Sequence, residues 1–78
     1  MTQRGARVVD ATGKACPMPI LELARALRDL EIGQTLELLA TDPAAEADLK
    51  AFCERTGHVL VSFSSDARIL RAQVLRTH

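Results

Sequence analysis

The chain has 78 residues, 47% of them hydrophobic, with ten basic and ten acidic side chains and a formal net charge of zero. It reads as one domain over residues 1–78 (core from about 7 to 76), burying about 60% of the surface its unfolded form exposes, so a large enclosed cavity is not expected. Neutrality argues against a protein that mainly holds polyanions or a membrane surface, and with only Phe52 and Phe63 as aromatics, no base-stacking platform or stable nucleic-acid binding is expected.

In chain order, Arg7 to Ala11 is short and β-rich and stops at Thr12-Gly13, a strand followed by a turn. From Pro17 to Glu31 the apolar residues Ile20, Leu23, Ala24, Leu27 and Leu30 form one helical stripe, with Glu22, Arg25, Arg28 and Asp29 outside and Gly33 as the stop. Gln34 to Thr41 alternates as a strand with Leu36, Leu38 and Ala40 on one face. A second helix is expected with Asp42 as N-cap and Pro43 at its first position. It buries Ala45, Leu49, Phe52 and Cys53, pairs Glu46 with Lys50 outside, and ends at Gly57. His58 to Phe63 reads as a strand with Val59, Val61 and Phe63 on one side; Ser64-Ser65-Asp66 turns into a last strand, Arg68 to Arg76. The order βαβαββ predicts an α/β fold, a two-layer sandwich in which both helices cover one face of a four-stranded mixed sheet.

If the crossovers are right-handed, the carboxyl ends of the first two strands share an edge with both helix N-termini. That edge would hold Asp10, Gly13, Lys14, Cys16 and Met18 from the first turn, and Thr41 and Asp42 from the second.

Charge is uneven along the chain. Arg4 and Arg7 near the start and Arg68, Arg71 and Arg76 near the end are unaccompanied by acids, so adjacent first and last strands would carry a basic stripe. Such a stripe reads as solvated arginines first and as a docking patch second, and Lys14 raises the same question. No apolar run reaches the ~18 residues of a membrane span, and residues 1–7 are polar, without the centre of a signal peptide. The expected compartment is the cytoplasm, with no membrane partner. Cys16 and Cys53 match no C-x-x-C pattern and are expected to be reduced thiols.

The run Cys16-Pro17-Met18-Pro19 carries the chemistry. Cys16 precedes the first helix, at or next to its N-cap, where free N–H groups and the helix dipole favour a thiolate. Thiols so placed fall from a pKa of about 8.5 to roughly 3.5–7.5, and Lys14 adds a nearby cation. Both prolines lack an N–H and pre-set the first turn, stiffening the loop and leaving the donors of Met18 and Ile20 for the sulfur. Unusual acidity of Cys16 is therefore expected.

Asp10-Ala11-Thr12-Gly13, Cys16-Pro17-x-Pro19, the Gly33 stop, Thr41-Asp42-Pro43-Ala44-Ala45 and Gly57-His58 together resemble the TusA-like sulfur-carrier family, from about Val8 to the C-terminus. The resemblance implies a two-layer α/β sandwich and a cysteine, here Cys16, that accepts sulfane sulfur as a persulfide and passes it on. Such relays serve tRNA thiolation, cofactor assembly or sulfur oxidation. It implies a donor protein, a cysteine desulfurase or rhodanese, an acceptor protein, and no cofactor. Lys14 stands where the family often has Leu, Ala15 where it often has a basic residue, and Ser64-Ser65-Asp66-Ala67 lacks a glycine often found there.

The remaining constellations read more plainly. Cys53 belongs to an apolar stripe and is expected to be inert, and His58 is a helix-end or strand-start residue. Cys16, Cys53, His58 and His78 come from four separate elements and are not expected to bind zinc. Asp10 and Asp42 can brace the loop. The rival function is a non-catalytic regulatory module binding protein or RNA through the same edge; a peroxide-sensing thiol would want a resolving cysteine nearby.

Overall fold

The computed structural model describes residues 7–78. Its elements are β1 (Arg7–Ala11), α1 (Met18–Asp29), β2 (Thr35–Ala40), α2 (Ala45–Thr56), β3 (Val59–Asp66) and β4 (Ile69–Leu75). The sheet order is β1-β2-β4-β3, with β1 parallel to β2 and the other two pairings antiparallel. This is the predicted four-stranded mixed sheet. Leu36, Leu38, Ala40, Leu70, Ala72 and Val74 are buried on one face, against Leu23, Ala26 and Leu27 of α1 and Leu49, Phe52 and Cys53 of α2. Alternate residues of β2 and β4, from Thr35 and Glu37 to Arg71 and Gln73, face away from the helices. Among the described residues, no helix is long and apolar enough to cross a membrane.

Both helices are shorter than expected. The first ends where Leu30 turns extended (φ −83°, ψ 156°); Gly33 lies three residues further on, at φ +96°, in the turn that enters β2. The second begins at Ala45, not Pro43, because residues 42–44 form their own turn. There the Asp42 carbonyl accepts the Ala45 N–H at 3.0 Å and its Oδ1 accepts the Ala44 N–H at 3.1 Å. Asp42 is therefore a turn residue ahead of the helix, and Gly57, at φ +87°, is the left-handed cap that ends it.

Two corrections fall in the last hairpin. The register slips between Leu60 and Ser62, so Val61 sits in a bulge and the expected side shared by Val59, Val61 and Phe63 is broken. Phe63 then pairs with buried Ala72, on the helix face, where Lys50 of α2 lies 5.3 Å from its ring centre. The strand also runs on through Ser64-Ser65-Asp66, and the turn falls at Ala67-Arg68, both left-handed (φ 51° and 70°). Two-residue hairpins favour this geometry because it matches strand twist, but glycine or asparagine normally supplies it. Here Ala67 and Arg68 adopt it against a steric cost of roughly 1–2 kcal/mol each.

The expected basic stripe does not form, because β2 lies between β1 and β4. Arg7 meets Asp29 at 3.5 Å and Arg71 meets Glu37 at 3.5 Å; Arg4 lies outside the described residues. Arg76 instead closes α1. Its Nη1 donates to the carbonyls of Leu27 (3.2 Å), Arg28 (3.3 Å) and Leu30, placing a cation where the helix dipole is negative. Arg76→Ala should cost about 1.5–3 kcal/mol, the scale of hydrogen bonds involving a charged group. Thermal unfolding followed by circular dichroism should then show a midpoint lower by roughly 4–8 °C per kcal/mol.

Candidate functional site

Parallel pairing sets Ala11 beside Ala40, so the loops leaving β1 and β2 meet at one edge of the sheet, as expected. Each loop is fixed by short-range bonds and then tied to the other. Asp10 Oδ1 accepts from the Thr12 hydroxyl at 2.7 Å and the Thr12 N–H at 3.0 Å, and these bonds hold its carboxyl below the usual range. Asp10 thus folds its own turn. Gly13 takes φ +78° and donates its N–H to Thr41 Oγ1 at 2.8 Å. The Cys16 N–H is donated to Asp42 Oδ2, so one carboxylate braces both loops.

Cys16 is exposed, immediately ahead of Pro17, the N-cap of α1. Its Sγ–H donates to Asp48 Oδ2 at 2.7 Å, across from the start of α2. Expected acidity is overturned here. The Asp48 hydrogen bond, with desolvation and the charges of Asp48 and Asp42 behind it, pushes the Cys16 thiol up. The cation expected to oppose this is spent elsewhere, since Lys14 Nζ pairs with Glu22 of α1. So are the backbone donors: the Met18 N–H goes to the Ala15 carbonyl at 2.9 Å and the Ile20 N–H to the Pro17 carbonyl at 3.1 Å.

The prolines divide the work. Pro17 is exposed at the cap, while Pro19 is among the largest fully buried side chains and anchors the first turn in the core. Met18 (38% exposed) and Leu21 (45%) leave an apolar surface beside the cysteine. On the other side of Asp42, an open cleft of about 530 Å³ is lined by Thr41, Asp42, Glu46, Arg68 and Leu70.

Asp48 is not singled out by the sequence, and Glu22 is read there only as an outer-face residue of the first helix. The signal for Asp48 was present: a parallel β1–β2 pair must carry the first turn of α2 to the edge where Cys16 stands, and that turn holds Glu46 and Asp48. Of the other singled-out residues, Cys53 is buried, and burial pushes its thiol up. His58 lies at the opposite edge, between Phe52 (6.3 Å between ring centres) and His78 (4.6 Å), accepting the Thr77 N–H on Nδ1 at 3.2 Å. Burial, then His78 and Arg76, lowers its pKa. Among the described residues, no three His, Cys, Asp or Glu side chains are grouped to hold a metal ion.

Residues 7–75 match the family described as Sulfurtransferase TusA. The sulfur carrier protein TusA of Pseudomonas aeruginosa is 40% identical over 67 residues, covering 86% of this chain and 85% of that protein. YrkF of Bacillus subtilis is 44% identical over 64 residues, 82% of this chain; the chain spans 35% of YrkF's length. A SirA-like protein from Desulfitobacterium hafniense superposes with a TM-score of 0.78 at 22% identity, over 91% of this chain and 97% of its own, which shows the shared fold.

Proposed function

The chain belongs to the TusA family of sulfurtransferases, its relatives are sulfur carriers, and on that premise we propose that Cys16 is the sulfur-carrying residue. One observation supports this above the others: of the chain's two cysteines, Cys16 is exposed on a braced loop and Cys53 is buried.

In loading, Cys16 Sγ attacks the outer sulfur of a donor persulfide, R–S–SH. A bond forms from Sγ to that sulfur, the donor's S–S bond breaks with its electron pair on the inner sulfur, and the Sγ proton ends on that leaving group. Products are Cys16–S–SH and R–SH, with no external oxidant or reductant and no cofactor. In delivery, an acceptor thiol attacks the outer sulfur of Cys16–S–SH and Cys16 leaves as the thiol. The donor is a cysteine desulfurase or rhodanese-like protein and the acceptor a second relay protein, meeting the carrier over Met18 and Leu21 beside the sulfur. The reducing cytoplasm is the compartment in which both thiols stay free.

Intact-mass spectrometry after incubation with a persulfide-bearing desulfurase tests the reading. The protein should gain about 32 Da, one sulfur, on the peptide holding Cys16, and lose it to a reductant. A folded protein that takes up no sulfur from any persulfide donor would favour the non-catalytic binding module.

A further inference from the structure

The contact between Cys16 and Asp48 runs against what a permanently activated nucleophile needs. Cysteines made reactive by their surroundings face cations or free N–H donors, which stabilise the thiolate. Here the sulfur faces a carboxylate at 2.7 Å and donates its S–H hydrogen bond to it. Among the described residues, the neighbouring elements offer no counterweight. From the turn before α2, Asp42 approaches the same residue with its own carboxylate; from the cysteine's own loop and α1, Lys14 and Glu22 pair with each other; at the end of β1, Asp10 is turned to Thr12. Asp48 is half-buried and stands next to Leu49, which is fully buried, so the carboxylate is carried by a helix turn anchored in the core.

We propose that Asp48 is a lock on the empty carrier: it keeps the unloaded Cys16 a protonated, slow thiol, and the lock is released when sulfur is loaded. The inference rests on Cys16 being the sulfur-carrying residue and concerns how that site is regulated. Release follows from valence. In Cys16–S–SH, Sγ is bonded to Cβ and to the outer sulfur and has no hydrogen to donate. The outer sulfur stands one S–S bond, about 2.05 Å, further out. Loading therefore abolishes the bond to Asp48, the departing proton passing from Sγ by way of Oδ2 to the donor's leaving sulfur. An empty carrier then reacts slowly with small electrophiles and oxidants, while a loaded one presents an unrestrained sulfur to its acceptor.

The test is the rate of iodoacetamide alkylation at Cys16, from neutral to alkaline pH, read by peptide mass on the full-length protein without a sulfur donor. Asp48→Asn should alkylate several-fold faster than wild type at neutral pH, with its midpoint moved to lower pH, and Asp48→Ala should behave alike should the amide fail to seat. Glu46→Gln removes an equal charge from the same helix turn, from a residue engaged with Lys50, and should leave the profile where it was. Folded Asp48 variants with the wild-type profile, or a Glu46→Gln shift as large as that of Asp48→Asn, would overturn the lock. Because no sulfur is transferred in this assay, a wild-type protein that fails to load sulfur but keeps the Asp48-dependent profile would refute the carrier reading and leave the lock standing.

Discussion

Cys16→Ser should take up no sulfur at all, because a serine oxygen cannot form the S–S bond on which carriage depends. The variant should nevertheless fold. Cys16 is exposed, its N–H bond to Asp42 comes from the backbone, and a serine hydroxyl can donate to Asp48 in place of the thiol. The stability change should therefore stay within about 0.5 kcal/mol, as for most surface substitutions. Cys53→Ala provides the contrast, retaining uptake while losing about 1–2 kcal/mol, since it leaves a gap beside Leu49 and Phe52 in the core. Melting temperature and intact mass measured on one preparation separate the two. Sulfur gained by a folded Cys16→Ser protein would displace Cys16 from the role.

Asp42→Ala should produce the next largest loss. One carboxylate accepts the N–H of Cys16 and the N–H of Ala44, joining the Cys16 loop to the turn that starts α2. Removing it frees both donors and should cost about 1–3 kcal/mol in stability. Delivery should suffer more, by on the order of 10²-fold in single-turnover rate, because a reacting atom displaced by about an ångström is no longer aligned for attack. Asp42→Asn, which retains an acceptor oxygen, should lie between. Equal fractional losses in stability and in delivery per folded molecule would reduce Asp42 to a structural brace.

The elements that could be read from the chain are those in which burial repeats with the period of the backbone. Leu49 stands four residues after Ala45, and Phe52 and Cys53 stand three and four after Leu49, and all four are buried; Leu36, Leu38 and Ala40 alternate and are all buried. Where periodicity is interrupted, the reading failed. A single extra residue at Val61 reverses every later side chain of β3, and nothing in Val-Leu-Val-Ser-Phe announces it. Ala67-Arg68 turns left-handed without the glycine that marks such turns, so the sequence points to Ser64-Ser65-Asp66, ahead of the true turn. At the site, the loops and their shared edge followed from strand order, whereas the charge around the thiol did not. Its sign is decided by which side chains reach Sγ, and Asp48 lies 32 residues away in sequence while Lys14 lies two.

That separation has a kinetic meaning. The bonds that fix Cys16 span 26 and 32 residues, and loop closures of this kind form late compared with helix turns. A chain emerging from the ribosome exposes Cys16 before Asp48 has been made, and until α2 docks the cysteine has the chemistry of any free thiol. On the role proposed for Asp48, completion of the fold and restraint of the Cys16 thiol are one event, and a fragment ending before α2 would carry the cysteine without its restraint.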